Sequence, residues 1–224
     1  MGKKLCAALL MAAALLGLTA CQSITDDATV FVQGELDATY LGQFDQDYID
    51  VVEDMTEEDA QEKYDYNIEA EAQYFLSYLA VEMPTDAVTQ RAQELVAEIY
   101  SNAQYTVAQA EQLKSGDIAV EVTVSPIEIM PLITTEFMQE TWYSVLDSNG
   151  VTTQEQLDEQ FQAMDEAYAM ALMDEVERVM PELTYGTDQV IMLQMKEEDG
   201  YYSLVETGLQ KLDEVMIDYY GTYA

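Results

Sequence analysis

Carboxylates are the only catalytic groups this chain holds in quantity. Its 224 residues include 44 Asp+Glu, 8 Lys+Arg and no His. Without histidine there is no Ser-His-Asp or Cys-His catalysis, no histidine-bearing zinc site and no imidazole switch. An enzyme here would need a glycosidase-like pair of acids, roughly 5–10 Å apart, with their acidities pushed apart by burial. With so many acids some pair meets that distance by chance. Those beside apolar stripes, such as Asp165 and Glu166, read as a solvated helix face. A formal charge of −36 and a pI near 4.1 argue against nucleic acid as a partner, because phosphate binding needs a basic footprint. Anionic lipid surfaces would repel the same polyanion.

The second chemistry is that of a thiol. Cysteine occurs twice, at Cys6 and Cys21. Lys3 and Lys4 precede an apolar run, Cys6–Leu18, that is shorter than the roughly 20 residues of a spanning helix and suits a signal-peptide core. The run closes with Leu18-Thr19-Ala20-Cys21: one aliphatic residue, two small ones, then cysteine. That order resembles the lipobox of bacterial lipoproteins. The resemblance implies cleavage before Cys21 and attachment of palmitate-type acyl chains through its sulfur. The competing reading is an ordinary secretory signal with an incidental thiol at Cys21. Two chains of roughly 15 methylenes, at about 0.8 kcal/mol per methylene, give an upper bound of about 24 kcal/mol, which is permanent anchoring. Loss of residues 1–20 removes Cys6, two lysines and no acid, so the mature chain carries −38 and no cysteine pair for a disulfide. The expected location is the cell membrane, lipid-anchored at Cys21 on the extracytoplasmic face.

Metal and ligand motifs are sparser. Asp147-Ser148-Asn149-Gly150 has the look of an EF-hand start. With Gly150 in the glycine slot, however, the loop would run from Val145 to Gln156, and both ends lack the carboxylate. The segment reads instead as a glycine-terminated turn before a helix capped at Thr152 or Thr153. No cofactor and no built metal site are expected, while divalent cations should gather diffusely on the polyanion. The 16 Tyr, 5 Phe and 1 Trp are the other oddity. Trp142-Tyr143 with Tyr201-Tyr202 could line a groove that stacks on sugars. Most aromatics, and the 13 Met, fall on stripes that read as core.

The elements that must position these residues are legible from their periods. After a lipidated tether at 21–26, a single acidic domain is expected over 27–224. Ala28, Val32, Leu36 and Tyr40 recur at i+4 and predict a helix from Asp27 to Leu41. Asp45–Asp54 reads as an acidic connection. Thr56 caps a helix with acids in its first turn, Asp59 standing where a capping box prefers Glu or Gln. Its stripe is Ala60, Tyr64, Ile68, Ala72, Phe75 and Leu79. Pro84 stops it, and Thr85 caps a third helix buried along Val88, Ala92, Leu95 and Ile99. Tyr105 and Val107 then alternate, Lys114–Asp117 turns, and Ile118, Val120, Val122 and Val124 form a half-buried strand. Two helices follow at 132–146 and 153–179, the second striped by Leu157, Phe161, Met164, Tyr168, Leu172 and Val176. A second hairpin is predicted at 190–205 around Asp199-Gly200, then a final helix with Leu209, Leu212, Met216 and Tyr219 buried. Sequence assigns no face to Met195.

This order is α+β: three helices, a hairpin, two helices, a hairpin and a helix. Local pairing makes the two hairpins one curved antiparallel sheet with helices on one face. The stretches FVQGELDATYLGQF (31–44), TEEDAQEKY (56–64), GDIAVEVTVSPIEI (116–129) and EEDGYY (197–202) resemble a group of uncharacterised lipoproteins of Gram-positive bacteria. The resemblance implies a nuclear-transport-factor-two-like or cystatin-like cone, in which a curved sheet wraps a helix. Two helices inserted between the hairpins depart from the simplest cone. The family carries no catalytic residues to transfer. The expectation is a lipid-anchored, non-catalytic domain that binds a small ligand or an envelope protein. The alternative is an envelope hydrolase working with Asp and Glu alone. A transporter's solute-binding protein is a weaker reading, because there is no βαβ alternation.

Overall fold

The computed structural model describes residues 24–198 and 201–224, so the signal segment, Cys21 and the Asp199-Gly200 turn lie outside the described residues. The first helix, α1 (Ile24–Leu36), begins at Ile24 rather than Asp27, inside the expected tether. It continues not as α-helix but as one π-helical turn, Asp37–Leu41, closed by Gly42 in the left-handed region. The four stripe residues Ala28, Val32, Leu36 and Tyr40 are all buried.

The acidic connection needs correction, since it contains a short helix. Helix α2 (Gln46–Val51) starts where the Asp45 carboxylate accepts the Asp47 amide. It exists to deliver Tyr48, which is fully buried against α1. The approach is so close that a Cβ on Gly34 would stand 2.2 Å from the Tyr48 Cβ, a distance no side chain tolerates. Four helices therefore precede the first strand, where three were expected.

Helix α3 (Glu57–Tyr78) opens with the expected box: Thr56 Oγ1 accepts the Asp59 amide at 3.2 Å, and Asp59 Oδ2 accepts the Thr56 amide at 2.9 Å. Helix α4 (Asp86–Tyr100) is capped by Thr85, and α6 (Gln154–Val179) by a second box between Thr153 and Gln156. Helix α5 (Thr135–Ser148) starts later than Leu132, because Pro131 sits in a 3-10 turn and Thr134 supplies the cap. Asn149 and Gly150 (φ +67°) end α5 as the predicted turn. The last helix is α7 (Glu206–Met216).

The sheet is antiparallel and curled. Strand β1 (Gln104–Val107) and the short β2 (Glu111–Gln112) both pair with β3 (Ile118–Ser125). A two-residue strand, β4 (Ile127–Glu128), pairs with β5 (Thr184–Tyr185) outside the main sheet. The two hairpins join through β3 and β6 (Gln189–Glu198), with Val122 opposite Ile191 and Ile118 opposite Met195. Strand β7 (Tyr201–Leu204) completes the order β1-β3-β6-β7. Alternation then decides faces: Ile118, Val120, Val122, Val124, Ile191, Leu193 and Met195 point into one core under α1 and α7. Register thus settles Met195, which is wholly buried. The opposite face keeps Val190 and Met192 exposed.

Candidate functional site

Helices α5 and α6 form an antiparallel pair, and no residue of α5 is fully buried. What α5 does instead is form one wall of a cleft of about 430 Å³ with the start of α6 and the turn after α3. Its lining includes Met138, Trp142, Tyr143, Phe161, Tyr168 and Asp165. Three-residue and four-residue steps place Phe161, Asp165 and Tyr168 on one face of α6. The Trp142 ring stands 5.4 Å from Tyr168 at 85° and 6.2 Å from Phe161 at 61°, so the walls meet as corners rather than stacks. Trp142 is half-buried, and Tyr143 is 68% exposed at the mouth.

Asp165 overturns the solvated-face reading. It is 2% exposed, and its Oδ2 accepts the backbone amides of Glu82 and Met83 at 3.0 and 2.6 Å. Glu166, its neighbour, is partly exposed. The clamp holds the turn in which Ala80 closes α3 with φ +60°, an unfavoured conformation for a residue with a Cβ. Val81 donates to the Leu76 carbonyl at 3.0 Å, completing that turn. Burial, and after it the Asp165 charge, push the Tyr168 phenol above its ordinary value. Among the described residues neither Glu82 nor Asp165 is ion-paired, and no Lys or Arg lines the cleft.

The predicted aromatic groove is half present. Trp142 and Tyr143 line the cleft, whereas Tyr201 and Tyr202 stand on β7, the Tyr202 hydroxyl lying 3.5 Å from the Gly116 carbonyl. Asp165 was the residue that pattern reading missed. An acid at the buried step between Phe161 and Tyr168 was the available signal.

The remaining buried acids have partners of their own. Glu35 accepts from the Lys63 ammonium on one oxygen and from the Tyr48 hydroxyl on the other, at 2.8 Å for the latter. Asp218 accepts the Tyr220 and Tyr223 amides at 3.1 and 2.8 Å and so folds the C-terminal segment. A tyrosine cluster fills the space between the π-helical turn, α3, α4 and the C-terminus. Tyr40 bonds Asp213, Tyr219 donates to Glu71 at 2.6 Å, and Tyr105 donates to Asp37 at 2.6 Å. Tyr40 and Tyr100 meet edge to face at 5.1 Å. Burial first, and then the neighbouring carboxylates, push Tyr40, Tyr100 and Tyr219 well above the ordinary phenol range. Beside Tyr40 and Asp213 lies a crevice of about 20 Å³, the room of one water. A wider groove of about 630 Å³ between α3 and α4 is lined by Glu62, Asp65, Glu69 and Glu94 and is plain acidic surface.

Among the described residues no group of three or more Cys, Asp or Glu is arranged to hold a metal, and no helix is long and apolar enough to cross a membrane. No family model and no curated relative matches the sequence. Among solved structures the fold is similar to that of ycdA from Bacillus subtilis, described as a candidate lipoprotein, with a TM-score of 0.56 at 16% identity. The match covers 86% of this chain and 56% of that one, so this chain spans little more than half of the protein it resembles. At that identity the likeness is one of fold: a curled antiparallel sheet with helices packed on it.

Proposed function

We propose that this chain is an extracytoplasmic lipoprotein, anchored through acylated Cys21, whose domain binds a small ligand in the aromatic cleft without transforming it. The observation that carries the binding role is the cleft itself. Six apolar or aromatic side chains surround about 430 Å³ that the fold leaves open to solvent, the usual character of a ligand site. The anchor rests on Leu18-Thr19-Ala20-Cys21, and the fold shared with ycdA supports it. The cone-like kinship rests on the sequence resemblance and on the curled sheet covered by helices.

The non-catalytic reading draws on what the buried acids already do. A glycosidase needs one free acid and one free carboxylate flanking the bond. Asp165, the buried acid of the cleft, spends one oxygen on two backbone amides, and Glu35 spends both on Lys63 and Tyr48.

Two measurements test the proposal. Cys21→Ser should abolish incorporation of labelled fatty acid and release the protein from the membrane fraction; continued acylation of the variant refutes the anchor. Fractions of envelope extract added to the intact chain should produce a saturable change in the fluorescence of Trp142, its one tryptophan. The active component should be recovered with its mass unchanged. Its consumption would instead establish the acid-only hydrolase.

A further inference from the structure

The ligand class follows from the charge of the cleft, taking the binding role above as its premise. Aromatic walls alone accept any flat or apolar body, including a sugar face. This cleft adds two carboxylates, Glu82 at the rim and Asp165 at the base, with no cation in its lining. Neither acid is ion-paired among the described residues. It also sits in a chain of net charge −36, whose field concentrates cations and depletes anions in a low-dielectric cleft. Trp142 and Tyr168 stand at 85° and Phe161 and Tyr143 line the same space. Rings set at corners offer π-faces to a rounded cation more readily than a flat platform to a sugar ring. The Met138 thioether adds a soft, polarisable contact.

We infer that the cleft bounded by Trp142, Tyr143, Phe161 and Tyr168 binds an alkylammonium cation, held by cation–π attraction and by the carboxylates of Glu82 and Asp165, neither of which is ion-paired among the described residues. Asp165 Oδ2 already accepts hydrogen bonds from two backbone amides, so its carboxylate is held in place beneath the rings. The same chemistry has two sources, a quaternary ammonium of the choline type and the primary ammonium of a lysine-like amine.

Trp142 makes the test direct, because its fluorescence reports on the cleft alone. The intact chain in non-ionic detergent is titrated with choline, with butylammonium, with the uncharged isostere of choline in which tert-butyl replaces trimethylammonium, and with methyl glucoside. One of the two cations should saturate the signal, and the isostere should bind roughly 2- to 30-fold more weakly than choline, the worth of a cation–π contact. Tighter choline assigns the quaternary source, and tighter butylammonium the lysine-like one. Tyr143→Ala should weaken the better cation several-fold; that side chain is 68% exposed, so its removal leaves the fold intact. Glu82→Gln should also weaken the cations and leave the isostere unaffected. An isostere as tight as choline overturns the cation assignment while leaving the cleft a ligand site. Saturation by methyl glucoside alone does the same in favour of a sugar. No response to any probe overturns the inference, and the extract titration above then decides the binding role separately.

Discussion

Removing the ammonium of Lys63 should be among the most damaging single changes in this protein. The Lys63 side chain is 2% exposed and its partner Glu35 7%. Glu35 satisfies its two oxygens with Lys63 and the Tyr48 hydroxyl. Lys63→Met keeps the length and apolar stem of the side chain but strands a carboxylate among Phe31, Leu36 and Tyr48 in the core. Breaking one side of a buried ion pair costs about 3–5 kcal/mol. That is a large share of the roughly 5–15 kcal/mol that holds a domain folded. With a urea dependence of about 2 kcal/mol per molar, the midpoint should fall by roughly 2 M, read by far-ultraviolet circular dichroism. One further arm isolates the cause. Glu35→Gln placed in the Lys63→Met chain removes the stranded charge and should recover a substantial part of the loss. A cost below about 1 kcal/mol, or a double variant no better than Lys63→Met, would show that the pair does not constrain the core as argued.

Other consequences follow from the same geometry. Ala80→Gly should stabilise the domain by about 1 kcal/mol, because glycine adopts the left-handed φ of +60° without a Cβ penalty; calorimetry should show melting roughly 2–4 °C higher. Asp165→Ala, which removes the acceptor for the Glu82 and Met83 amides, should cost roughly 2–3 kcal/mol and loosen the cleft, seen as a red-shifted Trp142 emission. For Tyr40, Tyr100 and Tyr219 the folded state holds the phenolic proton more tightly than the unfolded chain. Their contribution is therefore complete below about pH 10 and lost as pH rises beyond it. Phenolate absorbance should develop together with unfolding, and early titration of all 16 tyrosines in a still folded protein would contradict the cluster. Self-repulsion at −36 should make melting temperature rise with salt as the Debye length falls from about 30 Å at 0.01 M to about 10 Å at 0.1 M. Ca²⁺ and Mg²⁺ should act at lower concentration than Na⁺ and nearly alike, and one saturable, Ca²⁺-selective site would refute diffuse association.

Sequence by itself determined the local elements and the stripes. A Thr with an acceptor three residues later, as at Thr56–Asp59 and Thr153–Gln156, caps its helix through atoms close in the chain, so no distant contact is needed to read it. Apolar periods of two and of three to four placed β3, α3, α4 and α6 for the same reason, because backbone geometry sets them before any packing occurs, while β6 was placed by its Asp-Gly turn signal. Composition alone set the charge and the absence of histidine.

Only the tertiary structure decided what the acids and aromatics inside those stripes do. Asp165 reads as surface in one dimension, and becomes a buried clamp because the turn after α3, 82 residues away, brings two amides to it. Tyr48 hides in an acidic stretch whose short helix survives only because Gly34 lets it touch α1. Lys63 and Glu35, 28 residues apart, each look like solvated charges until α1 and α3 bury them together. The cleft likewise takes its Trp142 from α5 and its Phe161 and Tyr168 from α6, and left Tyr201 and Tyr202 elsewhere. A side chain's charge is fixed by its own atoms, but its burial and its partners belong to the surfaces that other parts of the chain bring to it.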